Sequence, residues 1–165
     1  MPNENQFLNL YEHPGHLLRR AQQISVSIFF EEMGNELTPV QYAVLSILSN
    51  NPGIDQVSVA GLAAIDTSTG ALVCARLEEK GLIDRQVIPH NRRKRALFLT
   101  AAGSAQLAAM LPGAQRLRER LLAPLSETEQ SQFMVLLGKL VQENNSFSRA
   151  PLAGALSQDA ALPAP

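Results

Sequence analysis

The chain has 165 residues, 14 Lys and Arg against 15 Asp and Glu, a formal net charge of −1 and 45% apolar residues. That length suits one domain with a sizeable core, and the near-neutral balance excludes a uniformly basic nucleic-acid coat. A single cysteine, Cys74, excludes an intrachain disulfide, and no Cys/His cluster has metal-ligand spacing, so no metal or other cofactor is expected. The first 15 residues lack a basic n-region and an apolar h-region, so no signal peptide is expected. No apolar run approaches the ~20 residues that span a bilayer. A cytoplasmic protein without membrane contact follows.

The His13-Pro14-Gly15 break precedes a helical pattern from His16 to Met33, with Leu17, Ala21, Ile24 and Ile28 on one stripe. Gly34-Asn35 ends it. Thr38-Pro39 starts the next helix with a capping hydroxyl and a first-turn proline, and Val40, Val44, Ile47 and Leu48 form its buried face. That helix stops at Asn50-Asn51-Pro52-Gly53, and residues 54–56 are expected as an extended stub pairing with a later strand. Val57–Ala64 predicts a short helix. Asp66-Thr67-Ser68 caps another, running to Lys80 with Gly81 past its end. Leu82–Ile88 and Arg95–Leu99 read as two strands around Pro89-His90-Asn91. Thr100 caps a further helix in which Pro112-Gly113 predicts a kink. Ser126-Glu127-Thr128-Glu129 is a capping box for the last helix. From Ser148 the Ala/Pro-rich sequence predicts a disordered tail, 148–165.

The stretch 57–100 carries the chemistry. A DNA-reading helix needs short polar side chains at its N-terminal end. Thr67, Ser68 and Thr69 meet that need, Gly70 and Ala71 leave room for close approach, and Arg76 follows further along. Val73, Cys74 and Leu77 point the other way, toward a core. Five of the 14 cations fall within Arg85–Arg95, with no acid among them. Arg92, Arg93, Lys94 and Arg95 are expected at the tip of the strand pair, where like charges are unfavourable unless a polyanion offsets them. A solvated, solubilising turn is the competing reading of that tip.

The run Leu77–Arg85 (LEEKGLIDR), followed by Asn91–Gly103 (NRRKRALFLTAAG), resembles the MarR family of winged-helix transcription regulators, and Leu37–Leu48 (LTPVQYAVLSIL) is similar to that family's second helix. The resemblance covers about residues 10–147. It implies a mainly α fold with a small β wing: a winged helix-turn-helix over about 38–100, between dimerisation helices over about 7–34 and 101–147. These form a single domain, 1–147. It also implies a homodimer on a pseudo-palindromic double-stranded operator, with half-sites ~34–36 Å apart. Two positions depart from the family. Asn91 stands where a wing-tip aspartate is usual, while Arg93 matches the arginine. Ala71-Leu72 stands where many members carry Thr-Arg.

In the family, small aromatic acids commonly bind between the dimer core and the winged domain, and this chain resembles members that respond to aromatic carboxylates. Arg19 or Arg20 would hold the carboxylate, with His16, Ser27, Phe30 and Tyr42 as candidates for the remaining wall. The alternative is that these arginines pair with Glu31, Glu32 or Glu36 of the same or the other subunit. Cys74 reads as an inert buried thiol rather than a redox sensor. The function expected is a repressor released by a small aromatic acid, against the alternative of a protein–protein module without ligand response. No nucleophile–base pair or glycine-rich phosphate loop points to an enzyme.

Overall fold

The computed structural model describes residues 9–88 and 91–153, and for residues 88 and 91–94 it describes the backbone alone. Six helices and one strand pair make up this part: α1 (Pro14–Met33), α2 (Pro39–Asn50), α3 (Gln56–Leu62), α4 (Thr67–Glu79), β1 (Ile83–Ile88), β2 (Asn91–Leu99), α5 (Ala101–Leu122) and α6 (Glu127–Glu143). The mainly helical architecture with a two-stranded wing is the one the sequence predicts. No single helix among the described residues is long and apolar enough to cross a membrane.

Local chemistry sets the helix ends. His13 accepts from Gly15 N–H through its ring nitrogen, with Pro14 in the first turn of α1. Thr38 and Gln41 cap α2 reciprocally, at 3.2 and 3.0 Å. Asp55 and Ser126 cap α3 and α6. α4 ends in a Schellman turn: Leu82 N–H donates to Leu77 C=O (3.0 Å) and Gly81 N–H to Glu78 C=O (2.8 Å). Gly81 sits at φ +70°, which the turn requires and side-chain-bearing residues resist.

The core lies between α2, α3, α4, the strands and the flanks of α1 and α5. Leu37, Val44, Leu45, Leu48, Val59, Cys74, Leu77 and Leu97 are fully buried. Each large aliphatic group contributes about 1.5–3 kcal/mol by leaving water. The stub pairs with β2 at residues 54 and 55, while Gln56 already begins α3: Asp55 bridges Ala96, and Leu97 N–H donates to Ile54 C=O at 2.9 Å.

One joint binds the winged unit to α5. The Thr100 hydroxyl donates to Gly81 C=O (2.7 Å) and accepts from Gly103 N–H (3.0 Å), while Thr100 N–H donates to Leu82 C=O (3.1 Å). The first turn of α5 therefore lies on the backbone at Leu82. A Cβ at position 103 would collide with the Leu82 carbonyl oxygen. Further along, α5 lies against α1 at Gly113, where a Cβ would stand 2.6 Å from the Glu32 carbonyl oxygen. Two arginines clamp this contact: Arg116 to Glu32 (2.7 Å), and Arg120 to Glu32 (2.6 Å) and Glu31 (2.7 Å).

α5 runs unbroken through Pro112, and Gly113 packs closely on α1. Two expectations change. β2 begins at Asn91, not Arg95, so the basic run lies on a strand rather than only at a tip. The ladder jumps from Val87↔Arg95 to Ile88↔Asn91, which leaves residues 92–94 as a bulge. The tail does not become structureless at Ser148. Asn145 clamps Leu152 through both amide atoms (3.2 and 2.8 Å), and Ala153 N–H donates to Gly61 C=O on α3 (2.9 Å). These bonds satisfy backbone groups that composition alone left without partners. The remainder of the expected tail, 154–165, lies outside the described residues.

Gly103→Ala should destabilise the fold by about 1–3 kcal/mol through overpacking at the joint, read as a lower thermal midpoint by circular dichroism. An unchanged midpoint would show that α5 does not need this close approach.

Candidate nucleic-acid interface

α3 and α4 pack through their smallest residues. A Cβ at Gly70 would stand 2.7 Å from the Ala60 methyl. Gly70 is buried, so its smallness serves this crossing and not the close approach of DNA that its place in the sequence suggested. Between the two helices Ala64 takes φ +51°, the single side-chain-bearing residue with positive φ among those described. The turn directs α4 outward while Val73, Cys74 and Leu77 anchor it in the core, as their spacing predicts.

The N-terminus of α4 is organised by Asp66. One carboxylate oxygen accepts from Thr69 N–H (2.9 Å) and the Ser68 hydroxyl (2.8 Å), and the other accepts from the Thr69 hydroxyl (2.7 Å). These bonds, that from the Thr69 hydroxyl foremost, hold the Asp66 carboxyl well below the usual carboxylate range. The three candidate readers are therefore not equivalent. Thr67 and Ser68 are exposed at the tip and Thr69 is half-buried, and the hydroxyls of Ser68 and Thr69 both donate to the Asp66 cap. Ala71 is half-buried. Leu72, Ala75 and Arg76 are exposed along the outer face, and sequence reasoning had left Leu72 out of the reading set.

The wing lies beside this helix. Arg85 faces inward, where it pairs with Glu78 at the end of α4 (2.7 Å) and donates to Gln56 at the start of α3 (3.0 Å). The Glu78 pair stands off the straight line of a hydrogen bond. Arg85 thus braces the unit and is already compensated by a carboxylate. Arg95 is exposed on β2. The side chains of Arg92, Arg93 and Lys94 lie outside the described residues, as does that of Asn91. Their backbone is the bulge of β2.

The residues expected to hold an aromatic acid do not meet in one protomer. His16 and Phe30 are fourteen positions apart on α1, or about 21 Å along the axis. His16 is half-buried edge-on to Tyr11 (5.9 Å), with a shielded Nε2 that has no hydrogen-bond partner. Arg19 is exposed and donates to Gln23 (2.9 Å), and Arg20 is exposed. Within the protomer neither reaches Glu31 or Glu32, whose carboxylates are taken by Arg116 and Arg120. Ser27 is exposed. Phe30 touches Phe29 (5.5 Å), which touches Tyr42 (6.1 Å), so these two candidates share one aromatic chain.

Tyr42 also lines a cleft of about 310 Å³ between α2 and α5, with Ser46, Asn50 and Ser104 among its polar lining and Leu107 and Leu111 among its apolar one. No arginine, lysine or histidine is among its lining residues. Cys74 is buried, and burial pushes its thiol up, which keeps it protonated. No group of three acids, histidines or cysteines among the described residues could hold a metal.

The Asp66 cap carries a pH signature. Its carboxyl is depressed in the folded state, so its stabilisation is present above the unfolded value, about 4, and is lost as pH falls below it. Asparagine caps without titrating. Asp66→Asn should therefore lose less stability than the parent between about pH 5 and 3, measured by urea denaturation. Parallel profiles would remove the carboxylate cap from the account.

Comparison with known proteins agrees with this geometry. The MarR family pattern matches residues 37–94, from the start of α2 into β2. The transcriptional regulator HosA of Escherichia coli is 36% identical over 126 residues, 76% of this chain and 93% of HosA. Two solved structures share the fold. Bordetella bronchiseptica BpsR, whose DNA binding is regulated by 6-hydroxynicotinic acid, is 34% identical with a TM-score of 0.74, over 78% of this chain and 93% of BpsR. The transcriptional repressor CouR, bound to a 23-mer DNA duplex, is 30% identical with a TM-score of 0.76, over 84% of this chain and 99% of CouR. With nearly the whole of HosA matched and the helix-turn-helix, wing and flanking helices in the same order, the chain belongs to the MarR family of winged-helix transcriptional regulators.

Proposed function

We propose that the protein is a cytoplasmic homodimeric repressor that leaves its operator when a small aromatic acid binds. The observation that carries the DNA-binding half is the outer face of α4, uncovered, on a helix packed against β1, the strand that pairs with the basic strand β2. Thr67 and Ser68 approach base edges, Arg76 extends that face, and Arg92, Arg93, Lys94 and Arg95 contact phosphates or a flanking minor groove. Residues of about 38–100 form the reading unit, and the helices on either side form the dimer. Exposed apolar groups support that pairing: Leu17, Leu18 and Ile24 on α1, and Phe133, Leu136, Leu140 and Val141 on α6. Leu136 is 65% exposed, and α6 buries none of its residues within the protomer. A second copy would cover both faces.

The effector half rests on the two exposed arginines of α1 that lie outside the α1–α5 clamp. An aromatic ring fits the α2–α5 cleft beside Tyr42, and Arg19 or Arg20 holds the carboxylate. Along one α1 those arginines lie ~14–15 Å from the level of Phe29, where Tyr42 packs. The site as proposed is therefore complete only in the dimer. The relative BpsR, regulated by a hydroxylated aromatic acid, supports the ligand class. A ligand that favours a non-binding spacing of the two readers by about 1–3 kcal/mol suffices for release.

Fluorescence anisotropy on duplex DNA from upstream of the protein's own coding region tests both halves. Hydroxybenzoates, hydroxycinnamates and hydroxynicotinates should be added at two salt concentrations. Tight, salt-sensitive binding released by one acid is the expected result. Binding indifferent to every acid would remove the effector, and binding insensitive to salt would remove the phosphate-contacting wing. Arg93→Ala should weaken binding on every sequence and reduce the salt slope by about one. An unchanged affinity and slope would take Arg93 out of the interface.

A further inference from the structure

The outer face of α4 is unusual in what it offers to DNA. Ser68, Leu72 and Arg76 follow one another at intervals of four residues, so they form one line along the helix, about 6 Å apart in rise. Leu72, at the centre of that line, is 62% exposed. Ala75, also exposed, and the half-buried Ala71 flank it. An exposed leucine alone is ordinary. This one stands midway along the helix proposed to read DNA, between a hydroxyl and a guanidinium. The inward face of the same helix already has its apolar partners in Val73, Cys74 and Leu77, so Leu72 is not surplus core.

The C5-methyl of thymine is the apolar group among the base edges of the major groove. Leu72 has no donor or acceptor. Set against the N4 amino group of cytosine or the O6/N7 acceptors of guanine, it would strip water from a polar edge and return no hydrogen bond. Against a thymine methyl it buries apolar area on both sides. Resting on the DNA-reading role of α4, we propose that Leu72 is a specificity-determining residue: it reads a thymine methyl in each half-site, with Ala71 and Ala75 clearing the space. Ser68 and Arg76 then read the positions on either side. An operator with thymine at the centre of each half-site follows.

The test begins with the full-length protein and a random duplex pool, from which the preferred operator is selected. Each thymine of that operator is then replaced singly by deoxyuridine, symmetrically in both half-sites. Deoxyuridine keeps every hydrogen-bonding group and removes only the methyl. The expected result is one position at which the parent loses about fourfold per half-site, the value of one apolar carbon. Leu72→Ala should bind the thymine operator more weakly, show no further loss with deoxyuridine at that position, and keep the parental salt slope. The exposed site and the helix propensity of alanine favour a folded variant. Specific binding with no deoxyuridine penalty at any position would overturn the assignment of Leu72 alone, as would a variant that keeps the parental penalty. Absence of any sequence-specific binding would overturn the DNA-reading role of α4 together with it.

Discussion

The contact on which the rest of the structure depends is the seating of α5 on the backbone where α4 turns into β1. Gly81 takes the positive φ that ends α4. Its carbonyl accepts the Thr100 hydroxyl, and that hydroxyl also caps α5 by accepting from Gly103. Gly103 has no side chain because the Leu82 carbonyl occupies that space. Three short-range events therefore share one small volume: the end of the reading helix, the root of the wing and the start of the long helix. None can shift without the others, because each supplies the hydrogen-bonding partner or the clearance that another needs.

From that joint, α5 carries the geometry away from the reading unit. It is 22 residues long, about 33 Å, and its far half is clamped to α1 by Arg116 and Arg120 on Glu31 and Glu32. Ion pairs at the surface contribute modestly one by one, but these share carboxylates and sit beside the Gly113 contact, where α1 and α5 backbones come close. Hydrogen bonds from Arg116 and Arg120 hold the Glu32 carboxyl below its ordinary range. Under the proposed mechanism, α5 is the stiff element joining the dimer face and the α2–α5 cleft to the reading helix. A small displacement at one end would then become a change in separation of the two reading helices at the other.

Charge in the reading unit is divided by role. Arg85 belongs to the basic stretch of the sequence but is turned onto Glu78 and Gln56, and holds α3, α4 and β1 together. Asp66 is an acid at the tip of the helix proposed to face DNA, where it would repel phosphate if it stood free. Its oxygens instead accept from Ser68 and Thr69 and from the backbone of α4, so it acts as the cap that fixes the tip. The exposed line of α4 is left with a hydroxyl, an apolar side chain and a guanidinium.

The sequence by itself determined the order and nature of the elements, because caps, glycine stops and hydrophobic periodicity are local. Thr38, Thr100 and Ser126 announce their helices, Gly81 ends its own, and the inward set Val73, Cys74 and Leu77 follows from helical spacing alone. Only the tertiary structure decided what depends on a distant neighbour. Gly70 and Gly103 read alike as small residues, yet one accommodates Ala60 and the other the Leu82 carbonyl. Arg85 and Arg95 read alike as basic, yet one is paired inward and the other is exposed. Glu31 and Glu32 offered themselves as partners for Arg19 and Arg20, but α5 brings Arg116 and Arg120 to them first, from more than eighty residues away. Leu72 lay within a helical pattern that accounts for buried leucines, and only the placement of α3 and the core beneath α4 set it outward. Periodicity assigns a residue to a face of its own helix; which faces are covered is a property of the assembled chain.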